Sequence, residues 1–242
     1  MDIYSNSFCA SGMHLPNGPF TTLGGNGAVS PGGNVGSVLN AGGGSASYDA
    51  TYQDYDGTRA IRILNPCTGS NSDLVSNPQC GWWENANILQ MQKSRRYSTA
   101  EPLANGTITL IGGFVNGGYT NRNYPNTDPA TEGGAAKPTV EFFPSTGPAQ
   151  QMQFRVDTSG LNSYTHAFTM PSGKMPLPAN ISAMLWDPDT FQETRLPNGT
   201  AGCAERTLTN PTYAQMTYGM SLASGPVDRP SIYNPNASKG SR

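Results

Sequence analysis

The chain has 242 residues, among them 29 glycines and 20 prolines, and only 12% of it is charged. That is too little charge for a disordered tail and too much Gly and Pro for a helical protein. A net charge of -2 gives no electrostatic footing for nucleic acid or an anionic membrane, and no apolar run approaches the roughly 20 residues that span a bilayer.

Short apolar runs between turn residues replace helical periodicity, which predicts an all-β protein. Residues 15–27 read "LPNGPFTTLGGNG" and residues 103–118 read "LANGTITLIGGFVNGG". Each holds an Asn-Gly pair, a run of β-formers and then Gly-Gly. Asn-Gly predicts the type I′ turn of a two-residue hairpin, and the paired glycines predict a bulge or a close approach of another backbone. A third stretch, "MPSGKMPLPANISAMLWDPDT" (170–190), keeps a Ser-Gly turn without the Gly-Gly. Outer strands are expected at "ASYDA" (46–50), "VEFFPST" (140–146) and "MLWDPDT" (184–190). The repeated unit is the pattern of a kelch-type β-propeller blade; a β-sandwich with similar turns is the alternative. The Gly-rich stretches 25–44 and 113–135 are expected to be long loop insertions. Blades are expected over residues 1–197, and residues 198–242 show no hairpin of this type. A closed propeller needs about four to eight blades, so three hairpins suggest a chain that is not a whole propeller.

Cys67 and Cys80 bound a polar, turn-rich loop, "NPCTGSNSDLVSNPQCGWW", and are expected to form a local disulfide. Neither a CxxC nor paired histidines stand near them, which excludes the usual zinc spacings. Asn105, Asn180, Asn198 and Asn236 each begin a glycosylation sequon. With the disulfide they point to an extracellular, secreted protein, although Met1 is not followed by a signal peptide.

Four segments carry a more specific resemblance: "NSFCASGMHLPNG", "YDGTRAIRILNPC", "SRRYSTAEPLANGTITLIGGFVNGG" and "GLNSYTHAFTMPSGKM". They resemble fungal glyoxal oxidases, relatives of galactose oxidase, which are secreted copper radical oxidases on a seven-bladed kelch propeller. The resemblance implies that Cys9 and Tyr97 form a thioether cross-link, with Tyr97 also a copper ligand. Such a centre oxidises small aldehydes or primary alcohols with O2 and yields H2O2. From the residues alone, Cys9 reads equally as a buried apolar side chain and Tyr97 as an ordinary strand tyrosine. Arg95 matches a basic position of the family and reads as either a support for Tyr97 or a solvated arginine. Phe114 and Val115 stand where a tryptophan covers the thioether in galactose oxidase; Phe114 reads as its partial replacement or as a core aromatic.

The family's other ligands, a second tyrosine and two histidines, do not carry over, because the motif R-x-Y-H-S is absent. His14 reads as a strand or rim residue, and His166 as a non-ligand residue before a blade turn. Residues 198–242 resemble a later propeller segment that precedes the missing motif. Cys203 has no evident partner there. Tyr97 alone cannot hold Cu(II) in a tetragonal site. A non-catalytic kelch fragment or module that binds glycan or protein is therefore the competing function, with a structural paralogue a third.

Overall fold

The computed structural model describes residues 3–41, 44–65, 67, 80–115, 137–158, 164–179 and 182–196. Antiparallel strands dominate, and the single α-helix described there spans five residues. The first sheet starts with the hairpin of β1 (Ser11–His14) and β2 (Phe20–Leu23). An excursion of short strands follows: β3 (Val29–Ser30), β4 (Asn34–Val35), β5 (Val38–Leu39), β6 (Ala46–Asp49) and β7 (Asp54–Tyr55). The chain then returns as β8 (Ile61–Leu64) and β9 (Trp82–Glu84), completing the order β1-β2-β8-β9.

Two expectations are corrected here. The third strand of the first sheet is "IRIL", not "ASYDA". Residues Ile61–Ile63 are buried and pair with β2, whereas Tyr48 of β6 pairs with Tyr55 inside the excursion. The stretch 25–44 is likewise not bare loop, since β3 and β4 pair and β5 joins β6.

The second sheet runs β10 (Thr99–Pro102), β11 (Ile108–Ile111), β12 (Thr139–Phe143) and β13 (Gln150–Gln151). The helix α1 (Gln153–Asp157) follows, its first amides bonded to the Glu193 carboxylate at 2.8 and 2.7 Å. The third sheet is β14 (Met175–Ala179), β15 (Ser182–Trp186) and β16 (Glu193–Leu196). Residues 164–170 run beside β10, where Thr99 Oγ1 donates to the Thr165 carbonyl and Thr169 Oγ1 to that of Pro102, both at 2.7 Å. They occupy the place of an innermost fourth strand. Three meanders with side-by-side inner strands are the arrangement expected of successive blades.

The hairpin turns are longer than Asn-Gly suggests. In each, one residue bonds to the residue four later: Leu15 to Pro19, Leu103 to Thr107, Met170 to Lys174. Only the glycine of each turn, Gly18, Gly106 or Gly173, has positive φ. This is the three-residue loop closed by a left-handed glycine, not the type I′ turn, which requires positive φ at both central residues.

The core lies between sheets. Leu110 packs toward the first sheet with Leu23, Ile61, Ile63, Leu89 and Met91. Its neighbour Ile111 packs toward the third sheet with Met175, Leu177, Met184 and Trp186. Successive strand residues face opposite sides, so β11 is buried throughout and reads as an apolar run.

Candidate functional site

Cys9, Tyr97 and Tyr164 stand at equivalent points of the three sheets. Each precedes an innermost strand segment, and each has its hairpin turn residue eight positions later, at Asn17, Asn105 and Ser172. All three have left-handed backbones, with φ of 64°, 57° and 39°. A non-glycine residue there is uncommon and held only by its surroundings. Those surroundings are a chain of backbone bonds: Tyr97 N–H donates to the Cys9 carbonyl at 2.9 Å, and Tyr164 N–H to the Tyr97 carbonyl at 2.7 Å. One sheet thus hands its inner strand to the next at these residues.

The lead-in to Cys9 is clamped. Asn6 N–H donates to Tyr55 O at 2.8 Å, and Arg62 Nη2 donates to Asn6 O at 3.0 Å. Buried Arg62 is ion-paired with Glu84 at 3.4 Å, and Ser5 Oγ bonds to both side chains. Burial lowers the Arg62 pKa, and Glu84 opposes that.

Tyr97 is clamped from its own side. Arg95 is fully buried and paired with Glu141 at 2.7 Å, and its Nη1 and Nη2 donate to Gly112 O and Thr139 Oγ1. The solvated alternative for Arg95 is therefore wrong: it ties the strand leading to Tyr97 to β12. Arg96 exchanges two 2.8 Å backbone bonds with Phe114. Phe114 is itself fully buried and meets the Tyr97 ring edge-on, with centroids 6.5 Å apart and planes at 81°. It is a core wall under the ring and does not stack on it.

The side chains converge as well. The Tyr97 and Tyr164 rings meet edge-on at 5.4 Å, and the Arg96 guanidinium lies over the Tyr97 ring at 5.1 Å. Cys9 is a half-buried free thiol. Its hydrogen bond with Tyr97, followed by burial, holds that phenol above its ordinary pKa, while Arg96 pulls it down. Burial, then the charge Cys9 carries when ionised, pushes Tyr164 up to about 12. Tyr164 was not singled out from the sequence. Its signal was present in the eight-residue spacing to the Ser-Gly turn that Cys9 and Tyr97 share.

This arrangement fixes a pH dependence. With the folded pKa of Tyr164 above its unfolded value, the associated stability is full below about pH 10 and is lost as pH rises through about 12. Ultraviolet titration of the native protein is expected to show a late phenol that Tyr164→Phe removes. An unchanged late phase in that variant contradicts the placement.

The other expected site residues fall as follows. His14 is exposed on β1, edge-on to Phe20, with Nδ1 3.2 Å from the Gly18 carbonyl. His166 has a buried Nε2 without a hydrogen-bond partner, and burial lowers its pKa. It lines a cavity of about 360 Å³ between the inner strands, with Ser11, Ser98, Thr99, Tyr164 and Phe168. Cys67 and Cys80 are disulfide-bonded, with Cα atoms 5.6 Å apart. Asn105 is exposed on its hairpin turn. Asn180, Asn198, Asn236, Cys203 and the whole of 198–242 lie outside the described residues.

The donors do not make a copper site. One thiol and two phenols meet at Cys9, Tyr97 and Tyr164, and no group of three or more His, Cys, Asp or Glu suited to a metal occurs among the described residues. Neither histidine supplies the imidazole that a tetragonal Cu(II) centre favours beside such oxygens.

No protein-family profile matches the chain. It is 26% identical over 199 residues to a WSC domain-containing protein of Arthroderma benhamiae, covering 82% of this chain and 17% of that protein. It is 24% identical over 191 residues to the aldehyde oxidase GLOX of Vitis pseudoreticulata, covering 77% of this chain and 26% of that one. The chain therefore spans about a quarter or less of the curated relatives it matches. Among solved structures it is similar to YjhT, at 11% identity and a TM-score of 0.44, over 86% of this chain and 64% of that one. A fungal alcohol oxidase of the AA5 family in complex with copper aligns at 12% identity and a TM-score of 0.27, over 82% and 56% of the two chains.

Proposed function

We propose that this chain carries the cysteine–tyrosine half of the redox centre of a secreted oxidase that acts on small aldehydes or primary alcohols with O2. The observation that supports this best is the pairing of Cys9 and Tyr97 at matched, left-handed positions of adjoining sheets, with Tyr97 N–H donating to the Cys9 carbonyl. The distant sequence similarity to an aldehyde oxidase agrees with it. Copper and a Cys9–Tyr97 thioether would be the cofactors, as in the glyoxal oxidases that the motifs resemble. The histidines and the second tyrosine that such a metal requires would come from sequence beyond the described residues, in a longer parent or a partner.

The chain's own residues do three things in this reading. Arg95 and Arg62 lock the strands that present Tyr97 and Cys9. Phe114 walls the ring from beneath. Tyr164 closes the third side, and Tyr97, whose amide is bonded to Cys9, is the phenol that gives up its electron. Forming the thioether removes the thiol hydrogen and one ring hydrogen of Tyr97 and makes a C–S bond. The two electrons and two protons pass to O2, giving H2O2.

Aerobic incubation of the secreted parent protein with Cu(II), followed by peptide mass mapping, tests this. A linked pair of peptides holding Cys9 and Tyr97, lighter by two hydrogens than the unlinked pair, is expected, and Tyr97→Phe is expected to abolish it. Recovery of a freely alkylated Cys9 peptide would sink the oxidase reading. The competing reading, a non-catalytic binding module, is favoured by the absent imidazole donors. A cavity of about 480 Å³ lined by Tyr4, Tyr55, Arg59 and Gln90 would then be the place to look for its ligand.

A further inference from the structure

We propose that the cavity between the β6–β7 excursion and the segment after β9 is a saccharide site that takes one or two neutral hexose units. Its volume of about 480 Å³ falls within the ~300–1,000 Å³ usual for small-molecule sites. The inference starts from two aromatic side chains that the fold leaves in water. Tyr4 and Tyr55 line the cavity and are 65% and 48% exposed. Each offers a flat apolar face and a hydroxyl, and the C–H face of a pyranose ring packs on such a surface. Both are held before any ligand arrives. Tyr55 N–H donates to Tyr4 O at 3.0 Å, and Tyr4 N–H donates to Glu84 Oε2 at 3.0 Å. The Tyr48 ring lies against that of Tyr55, with centroids 4.7 Å apart. A lining fixed in advance loses little further entropy on binding.

The polar lining is oriented but not used up. Asp56 Oδ1 accepts the Thr58 amide at 2.8 Å and Oδ2 accepts Asn40 Nδ2 at 3.3 Å, which fixes the carboxylate with lone pairs to spare. Arg59 Nε donates to the Met91 carbonyl at 2.8 Å, which leaves its two Nη groups as donors. Among the described residues, the Thr58 and Ser94 hydroxyls and the Gln90 amide have no hydrogen-bond partner. Thr58 is only 5% exposed, so a partner for its hydroxyl has to come through the cavity.

Charge narrows the ligand class. Glu84 is committed to Arg62 at 3.4 Å, so Arg59 and Asp56 offset each other in the remaining lining. A site without net charge, with donors and acceptors mixed beside aromatic faces, suits a neutral polyol whose hydroxyls both donate and accept. The inference goes beyond the oxidase reading and stands without it, because neither Cys9, Tyr97 nor copper takes part in binding.

The test titrates the full chain with cellobiose, maltose, lactose and methyl mannoside, and with glycerol and glucuronate as controls. Binding is read by chemical-shift changes at the Tyr4 and Tyr55 rings. At least one neutral saccharide is expected to shift both rings in a saturable way that is insensitive to salt, while glycerol is not. Tyr4→Ala is expected to weaken that binding by about 5-fold or more, as loss of an aromatic contact does, and Tyr4→Phe to retain it. Gln90→Ala is expected to weaken it by about 3-fold or more, through a lost hydrogen bond. All three positions are exposed, and near-UV spectra of the variants confirm that the fold is intact. No response to any neutral saccharide, an equal response to glycerol, tighter and salt-sensitive binding of glucuronate, or a Tyr4→Ala variant that binds like the parent each overturn the proposal.

Discussion

Replacing Glu141 with glutamine is expected to destabilise the protein by about 3–5 kcal/mol, the usual cost of breaking a buried ion pair by removing one partner. Arg95 and Glu141 are both almost wholly inaccessible, at 0% and 1% exposure, so the guanidinium left behind has no water to turn to. The carboxylate does more than neutralise Arg95. It also accepts the Gln92 amide at 2.6 Å, which holds the approach of residues 92–95 against β12. Glutamine keeps the volume and removes the charge, so the loss is electrostatic and not a cavity. A shift of the urea midpoint at unchanged slope measures it. A loss below about 1 kcal/mol would place this pair with ordinary surface ion pairs, and the locking role given to Arg95 would fall. The double variant Arg95→Met, Glu141→Leu is expected to recover much of the stability, because paired apolar replacement removes the uncompensated charge.

Gly25→Ala carries the second large effect, about 3 kcal/mol or more, from backbone strain and a steric clash acting together. Gly25 has φ of 147°, and a Cβ there would lie 2.0 Å from the Asn6 carbonyl oxygen. The same oxygen would stand 1.9 Å from a Cβ on Gly57. Asn6 is therefore threaded between two glycines, three residues before Cys9. Any side chain at position 25 must push that lead-in outward and draw Cys9 away from Tyr97. Two readouts are expected to move together: the unfolding midpoint falls, and the Cys9–Tyr97 cross-linking proposed above does not form. Gly147→Ala is the control, since its φ of 152° is as unusual but no atom lies within 4 Å of the added Cβ. It is expected to show strain alone. Equal loss in the two variants would mean that close approach contributes nothing.

Much of this was legible along the chain, and the limits have a physical cause. The Gly-Gly after β2 predicted a close backbone approach, and Gly24 and Gly25 do lie against Arg95 O and Asn6 O. The Cys67–Cys80 disulfide and the apolar run of β11 were also legible, because each is a local pattern whose meaning does not depend on distant chain. The outer strand of the first sheet was misplaced, because "ASYDA" and "IRIL" carry the same β signal and only pairing with β2 separates them. Asn-Gly, or Ser-Gly in the third, marked each hairpin but not its length, since an adjoining residue with negative φ makes the turn one residue longer.

At the site the division is sharper. The sequence by itself determined that the protein is all-β, that Gly-Gly hairpins recur, and that Cys9 and Tyr97 each stand shortly before one of them. Those facts depend on turn chemistry and strand periodicity, which are set within about ten residues. Only the tertiary structure decided that Tyr164 joins them and that Arg95 is answered by Glu141. Which charge is neutralised depends on strands brought together from 46 residues apart, and no local pattern of side chains encodes that meeting.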